Sequence, residues 1–268
     1  MQDNGTSITE FFSNLVATLN GYVWSSALIY LALGAGLFYS ILTRFVQVRL
    51  FGEMIRLLFA SKESERGISS FQALAVSLSG RVGTGNIAGV AAAIGFGGPG
   101  AVFWMWVVAF LGSATAYIES ALGQIYKEVD EGQYRGGPAY YIEKAMGQKW
   151  YAWIFAITTI IATGLLLPGV QSNSIGNAAE LAFGGERIVS FFGDDISMTK
   201  MTTAVLVVSI LGFIIFGGVK RIAHFTQVVV PFMALGYILM ALGIIAAHIS
   251  DLPRIVALIV TDAFTPMA

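Results

Sequence analysis

The residues best suited to chemistry in this sequence interrupt an otherwise apolar run at positions 70–96. They read Gly80-Arg81-Val82-Gly83-Thr84-Gly85-Asn86, so glycines, a charge and two uncharged polar side chains stand where a membrane helix should be apolar. Glycine lowers the cost of leaving helical geometry. Backbone that is unwound within a membrane persists only where it lines protein or a water-filled cavity. The pattern therefore predicts a broken helix whose unwound residues face a binding cavity.

An unwound stretch of this kind offers ligands for both a cation and a carboxylate. Freed carbonyls and side-chain oxygens coordinate Na⁺, and we expect the sodium ligands to come from Gly80, Gly83, Thr84 and Asn86. A helix that restarts near Gly85 and Asn86 presents free N–H groups and a positive dipole end, which suit a carboxylate. We therefore expect the substrate to contact Thr84, Gly85 and Asn86. Because Thr84 and Asn86 are uncharged, the site fits a zwitterion bound together with a cation. A glycine-rich packing face against a neighbouring helix is the alternative.

A second polar cluster lies in the apolar run 150–182, where the sequence reads Leu167-Pro168-Gly169-Val170-Gln171-Ser172-Asn173-Ser174-Ile175-Gly176-Asn177. Pro168 loosens the helix at this point. We expect Gln171 to point into the cavity and to hydrogen-bond the ammonium or carboxylate group of the substrate. We also assign Asn173, which shares a helix face with Asn177, to the substrate site. Hydrogen bonding between helices near the outer surface is the alternative for each residue.

Arg81 is the most costly residue to place within a span. A charge in a membrane helix usually faces the interior or a water pathway and finds a partner. We expect Arg81 either to pair with Glu119, as a gate or pathway charge, or to line the cytoplasmic exit. Extension of its side chain to the inner headgroups is the alternative.

The composition identifies the class of protein. Of the 268 residues, 56% are hydrophobic and only 12% are charged, about half the charge of a soluble domain. The net charge of −1 gives no indication of a nucleic-acid partner, and the lipid bilayer is the expected surroundings. The chain has no cysteine and two distant histidines, His224 and His248. We therefore expect no transition-metal site and no cofactor other than the coupled ion.

Six membrane spans follow from the apolar runs, since a spanning helix needs about 20 mainly apolar residues. Residues 1–21 precede them and have the pattern of a short helix lying in the membrane interface. The predicted spans cover residues 22–43, 70–96, 100–126, 150–182, 201–218 and 226–249. We expect residues 250–268 to form an outer loop.

The basic residues predict the orientation. If the N-terminus is outside, the loops 44–69, 127–149 and 219–225 are cytoplasmic and hold eleven of the 15 lysines and arginines. The positive-inside rule selects this topology. The sequence thus predicts a multi-pass protein of a bacterial inner membrane with its N-terminus outside.

Several motifs in order along the chain resemble those of the alanine or glycine:cation symporter family. They are Ser79-Gly80-Arg81-Val82-Gly83-Thr84-Gly85-Asn86-Ile87-Ala88-Gly89-Val90, Gly97-Gly98-Pro99-Gly100-Ala101-Val102-Phe103-Trp104, Gly136-Gly137-Pro138, Val170-Gln171-Ser172-Asn173-Ser174-Ile175, Gly217-Gly218-Val219-Lys220-Arg221 and Val230-Pro231-Phe232-Met233. The family pattern often has a second serine where Gly80 stands. The resemblance covers nearly the whole chain, which an isolated glycine motif would not do.

The resemblance implies the fold: an all-α polytopic membrane protein of the LeuT type, in which one extra helix precedes two inverted five-helix repeats. On that view residues 22–43 form the extra helix and residues 70–249 the first repeat. The resemblance also implies substrate contacts around Thr84 and at Gln171, with Na⁺ bound by backbone oxygens from Gly83 to Asn86. Family members are longer than this chain. We therefore expect the chain to be a fragment, and the missing C-terminal half of the same transporter to be its partner.

The function implied is sodium-coupled uptake of a small neutral amino acid, such as alanine or glycine, without covalent chemistry. A proton-coupled or facilitative carrier is the nearest alternative, and a passive channel or a structural subunit are others. A membrane-embedded enzyme needs converging nucleophiles, bases or metal ligands, and the scarcity of histidine and the absence of cysteine argue against it.

Overall fold

In the computed structural model, residues 4–60, 67–130, 132–185, 187–191 and 194–265 are described. Their α-helices are, in chain order, α1 (Asn4–Val23), α2 (Ser26–Leu42), α3 (Val46–Arg49), α4 (Phe51–Phe59), α5 (Ser70–Arg81), α6 (Val90–Gly97), α7 (Gly100–Ile125), α8 (Pro138–Met146), α9 (Lys149–Ile161), α10 (Leu167–Phe183), α11 (Met198–Ile215), α12 (Gly218–Ala247) and α13 (Leu252–Asp262). Two π-helical turns, Gly85–Gly89 and Ala162–Leu166, precede α6 and α10, and a 3₁₀ turn, Ile249–Asp251, precedes α13.

The helices show a multi-pass membrane protein. Within the described residues, five helical stretches are long and apolar enough to cross a membrane: Glu10–Leu42, Gly100–Ile125, Lys149–Phe183, Met198–Ile215 and Gly218–Ala247. At most 11% of the most apolar stretch of any of them is buried within the protein, so lipid must cover most of its apolar side chains. The predicted span 70–96 is not among these helices, because it is divided into α5 and a second apolar helix, Gly85–Gly97.

The chain divides into two compact units, residues 1–51 with 104–121 and residues 52–103 with 122–268. In the first unit, α2 and α7 approach closely at Gly36, where an added Cβ would lie 2.8 Å from the Cβ of Leu111. Ser40 and Ala114 are completely buried. Small residues therefore allow these two helices to pack, as is common between membrane helices.

In the second unit, α5 packs along α12. The buried residues are small on both helices: Ala75 on α5, and Ala223, Thr226 and Val230 on one face of α12. Helix α10 packs against α11, and α8 packs against α9. The interiors of these contacts contain few large side chains, as expected where packing of small residues replaces a hydrophobic core.

Two predicted loops contain strands that the sequence did not indicate. The loop 127–149 contains a hairpin, β1 (Glu128–Asp130) with β2 (Gln133–Arg135), and after it the amphipathic helix α8. The loop after α10 contains a second hairpin, β3 (Ile188–Phe191) with β4 (Asp194–Ser197). Both are too short for a period-two pattern to be evident in the sequence.

The prediction that residues 219–225 form a loop is wrong. Helix α12 begins at Gly218 and includes them, so that only Phe216 and Gly217 separate it from α11. Gly218 supports the sharp turn with its positive φ of 73°. Arg221 donates from Nη1 to the carbonyl of Phe213 at 2.8 Å and thus satisfies a carbonyl at the end of α11. The polar Lys220-Arg221 pair is typical of loop sequence, but Arg221 supports the end of a helix.

Residues 250–268 likewise contain more than the predicted outer loop, because α13 covers Leu252–Asp262. Its end contacts the turn before α7, where Asp262 Oδ2 accepts a hydrogen bond from the Gly100 backbone N–H at 2.8 Å. The rings of Phe103 and Phe264 lie 5.3 Å apart beside this bond. A carboxylate at the N-terminus of α7 also complements the helix dipole.

An ion pair joins the end of α10 to the start of α11, with Lys200 Nζ 2.7 Å from Glu180 Oε2. Both side chains are about a third exposed, and exposed pairs contribute little to stability. We expect Lys200→Met to lower the midpoint of thermal unfolding in detergent by about 2 °C or less. High salt should reduce the difference. The matched control is Lys149→Met, which removes a more exposed lysine 3.6 Å from Glu143. A fall of 10 °C in Lys200→Met alone would contradict the small contribution that we assign to the Lys200–Glu180 pair.

Candidate substrate and cation site

The helix break predicted from the glycines is present and is short. A capping box between Ser69 and Gln72 starts α5, which ends at Arg81. Val82 is extended, with φ −100° and ψ 110°, and helical geometry resumes at Thr84 before the π turn. The break therefore consists of Val82 and Gly83. The other residues of the predicted unwound stretch lie in α5, as Gly80 and Arg81 do, or in the π turn, as Gly85 and Asn86 do.

Asn86 closes the break on one side. Its Oδ1 accepts from the backbone N–H of Gly83 at 3.2 Å, and its own N–H donates to the carbonyl of Gly83 at 3.0 Å. The Asn86 side chain thus replaces the helical acceptor that Gly83 lacks, because short polar side chains can satisfy N–H groups at helix starts. Asn86 therefore fixes the direction in which the second helix leaves the break.

Gln171 of α10 contacts the break on the other side. Its Oε1 accepts two hydrogen bonds from Thr84, one from the backbone N–H at 3.2 Å and one from the hydroxyl at 2.5 Å. Thr84 and Gln171 are both half-buried. The structure thus joins two predicted substrate residues that lie 87 positions apart.

Gly83 provides the space for this contact. An ideal Cβ at Gly83 would lie 2.7 Å from Nε2 of Gln171, closer than real Cβ contacts. By contrast, added Cβ atoms at Gly80 and Gly85 would meet nothing within 4 Å. Of these three glycines, only Gly83 therefore lies where a side chain would collide with a neighbouring residue.

A π turn lies near each of the two residues that form this contact. The turn at Gly85–Gly89 follows Thr84 directly, and the turn at Ala162–Leu166 ends five residues before Gln171. In the second turn the N–H of Leu167 donates to the carbonyl of Ala162, five residues back. Pro168 follows at once and has no N–H to donate, so a regular α-helical ladder is interrupted at this point. Wide turns of this kind are rare and frequently occur at functional sites.

The remaining predicted site residues are not brought to this contact. Asn173 is exposed and makes no hydrogen bond to the break within the part of the chain described, because two residues along an α-helix place it about 200° away from Gln171. Arg81 is exposed at the end of α5. Glu119 belongs to the other compact unit, so its pairing with Arg81 stays a prediction.

The close approach of Gly83 to Gln171 and the two π turns were missed by the sequence reasoning. Pro168, preceded by Gly164, was the available signal for an irregular helix at 162–166. Nothing local in the sequence indicates which glycine of the break needs its missing Cβ.

Comparisons with known proteins identify the family of the chain. The model of the sodium:alanine symporter family matches residues 9–268. A putative sodium/proton-dependent alanine carrier of Bacillus subtilis is 56% identical over 252 residues, which are 94% of this chain and 49% of that protein. A probable sodium/glutamine symporter of the same organism is 42% identical over 257 residues, 95% of this chain and 51% of that protein.

A sodium/alanine symporter of Methanococcus maripaludis is 37% identical over 261 residues, 94% of this chain and 55% of that protein. The chain thus spans about half the length of the curated relatives it matches. The family match itself reaches residue 268 and gives no support to the expectation of a missing second repeat. The names of these relatives describe carriers and symporters, not enzymes. By the extent of the family match, the chain belongs to the sodium:alanine symporter family.

Proposed function

We propose that this chain acts in the symport of a small neutral amino acid with Na⁺, and that the amino-acid carboxylate binds at Thr84. The observation that carries the proposal is the pair of hydrogen bonds from Thr84 to the single oxygen Oε1 of Gln171. An amide oxygen and a carboxylate oxygen accept hydrogen bonds in the same way. Thr84 therefore has two donors aimed at the position that a substrate carboxylate oxygen would take.

Binding of the carboxylate at Thr84 displaces Gln171 from it. Once displaced, Gln171 can accept from the substrate ammonium through Oε1 or donate to the carboxylate through Nε2, since a primary amide has both functions. The start of the helix at Thr84 adds the positive end of a dipole. The other proposed substrate residues are Gly85 and Asn86, in the first part of the π turn, and Asn173 on α10. Asn173 lies on a different face of α10 from Gln171, so it would contact the substrate from another direction.

Oxygen atoms beside the break support the proposed cation site. Gly80 lies in the last turn of α5, where carbonyls lack helical partners. The carbonyl of Gly83 and the side-chain oxygens of Thr84 and Asn86 lie on the other side of Val82. Na⁺ accepts such neutral oxygen ligands at broken membrane helices. Arg81 and Glu119 are the proposed pathway charges.

The proposed setting is a bacterial inner membrane with the N-terminus outside, because the basic residues favour this orientation. The proposed architecture is the first repeat of a LeuT-type fold with one extra N-terminal helix. The helix break in α5–α6 supports it, as discontinuous helices form the binding sites of such transporters.

The test is equilibrium binding of ¹⁴C-alanine to the purified 268-residue chain, in Na⁺ and in K⁺, together with uptake into proteoliposomes. We expect saturable binding that needs Na⁺ and that excess glycine prevents. Thr84→Val keeps the side-chain shape and removes the hydroxyl, so it should weaken alanine binding about tenfold. Thr84→Ser retains the hydroxyl and is the matched control.

Other outcomes identify other functions. Binding that is indifferent to Na⁺, together with proteoliposome uptake that rises with an inward proton gradient, would favour proton coupling, which the name of the Bacillus subtilis alanine carrier includes. Stronger competition by glutamine than by glycine would favour the substrate that the second relative's name gives. Folded protein that binds no amino acid in either salt would refute the proposed function.

A further inference from the structure

The link between α2 and α3 has an unusual backbone. Arg44 and Phe45 both have positive φ, 54° and 51°, although both carry a Cβ, which clashes with backbone in the left-handed region. Two consecutive residues of this kind persist only where the surrounding structure holds them, and such outliers cluster at functional sites.

Backbone and side-chain hydrogen bonds hold this turn. The N–H of Phe45 donates to the carbonyl of Ser40 at 2.6 Å, and that of Arg44 donates to the carbonyl of Ile41 at 2.9 Å. Ser40 is completely buried, and its hydroxyl accepts from Nε2 of Gln47 at 3.0 Å. The turn is thereby fixed from both sides, and the backbone direction of Arg44 is fixed with it.

The turn borders a cavity of about 290 Å³, within the first compact unit, that carries positive charge. Its lining residues are Leu42, Thr43, Arg44, Val46, Arg49 and Tyr117. Arg49 donates from Nη2 to the carbonyl of Thr43 at 3.3 Å, and the Arg44 side chain has no partner within the described part of the chain. No acidic residue is among those that line the cavity. Two arginines therefore line it, and none of its described lining residues carries a counter-charge.

We propose that this cavity binds a phosphate group, with the headgroup of an anionic phospholipid as its source. Arginine matches phosphate with a planar fork of donors, and the phenol of Tyr117 adds a further donor. Leu42 and Val46 supply an apolar wall for the glycerol and the first acyl carbons. The cavity lies at the end of α2 that the positive-inside rule places in the cytoplasm, where basic pockets bind lipid headgroups. This site is separate from the amino-acid site and does not depend on the proposed transport function.

The test is calorimetric titration of the purified chain, in an uncharged detergent, with short-chain phosphatidylglycerol. We expect saturable binding that Arg44→Gln and Arg49→Gln each weaken about tenfold or more, the loss of a charge-assisted contact. Arg56→Gln is the matched control, because Arg56 pairs with Glu53 and does not line the cavity. Short-chain phosphatidylcholine, which has no net charge, should bind weakly.

Competition with inorganic phosphate distinguishes the two possible sources of the phosphate group. Inorganic phosphate that displaces the lipid at a similar concentration would support the site but assign it to a free phosphate, and failure to displace would assign it to lipid. Equal affinity of wild type, Arg44→Gln and Arg49→Gln, or an equal loss in Arg56→Gln, would overturn the proposal.

A further variant separates binding from folding. Arg44→Gly removes the strained Cβ, so the unfolding midpoint without lipid should stay equal or rise while lipid binding falls as in Arg44→Gln. Retained lipid affinity together with a lower midpoint would assign the turn to folding alone and overturn the proposal. Arg49 lies in α3, outside the two residues of positive φ, so Arg49→Gln tests the cavity without changing either of them.

Discussion

Replacing Gly83 by alanine is expected to weaken amino-acid binding about 100-fold while leaving the fold intact. The new methyl group would lie 2.7 Å from Nε2 of Gln171, so the Gln171 side chain must move away. The methyl group then fills the space beside Thr84 where we propose that the substrate binds, and it keeps Gln171 away from the position in which it would contact the bound substrate. Because the displaced atom is the end of a flexible side chain, the backbone needs little adjustment.

The measurement is ¹⁴C-alanine binding beside the thermal unfolding midpoint of the same preparation. Gly89→Ala is the matched control, since a Cβ there would meet nothing within 4 Å. We expect Gly89→Ala to bind alanine as wild type does, and both variants to unfold within a few degrees of it. If Gly83→Ala bound alanine with wild-type affinity, substrate binding would not require the position that Gln171 has beside Gly83.

Replacing Gly100 by alanine is expected to detach α13 from the turn before α7. An added Cβ would lie 2.6 Å from the backbone N of Ala263 and 2.7 Å from the carbonyl carbon of Asp262. Backbone atoms cannot rotate away as the Gln171 side chain can, so the bond between Asp262 and Gly100 and the contact between Phe103 and Phe264 are lost together. The cost should be about 1–3 kcal/mol of stability, as for other overpacked contacts.

Hydrogen–deuterium exchange of the amides in 252–262 measures this detachment directly. We expect faster exchange in α13 of Gly100→Ala and unchanged exchange in the middle of α12. Gly95→Ala is the matched control, because a Cβ at Gly95 would meet nothing within 4 Å. Wild-type exchange in α13 of Gly100→Ala would mean that the contact is not what holds the helix.

The membrane helices could be predicted because each needs a long apolar run, which is a local property. Predicted spans at 100–126 and 150–182 match Gly100–Ile125 and Lys149–Phe183 within a residue or two. The predicted span begins eight residues after the start of α12 because Lys220 and Arg221 are polar, although Arg221 caps the end of α11. Both hairpins are held by backbone pairing, which no apolar period reports. Helix α13 does have apolar residues at helical spacing, such as Leu252, Ile255 and Ile259, but it is too short to be counted as a span.

In the candidate site, too, features set by neighbouring residues could be predicted, whereas contacts between distant residues could not. The break at Val82 and Gly83 could be predicted, since glycines and polar residues in an apolar run are visible locally. Gln171 was included from the polar cluster in its own span, but its bond to Thr84 depends on two helices meeting 87 residues apart. Asn173 belongs to the same cluster but points away from the break, because residues two positions apart lie on nearly opposite faces of an α-helix.

The π turn at Ala162–Leu166 has a consequence for the comparison of sequences. A turn closed by hydrogen bonds between residues five apart holds one residue more than an α-helical turn. It is therefore the structural equivalent of a single-residue insertion between α9 and α10. In family members that have a regular helix at this point, alignments should show a one-residue gap within 162–166. The counterpart of Gln171 should remain aligned beyond that gap, and a rigid gap-free alignment would pair it with the wrong residue.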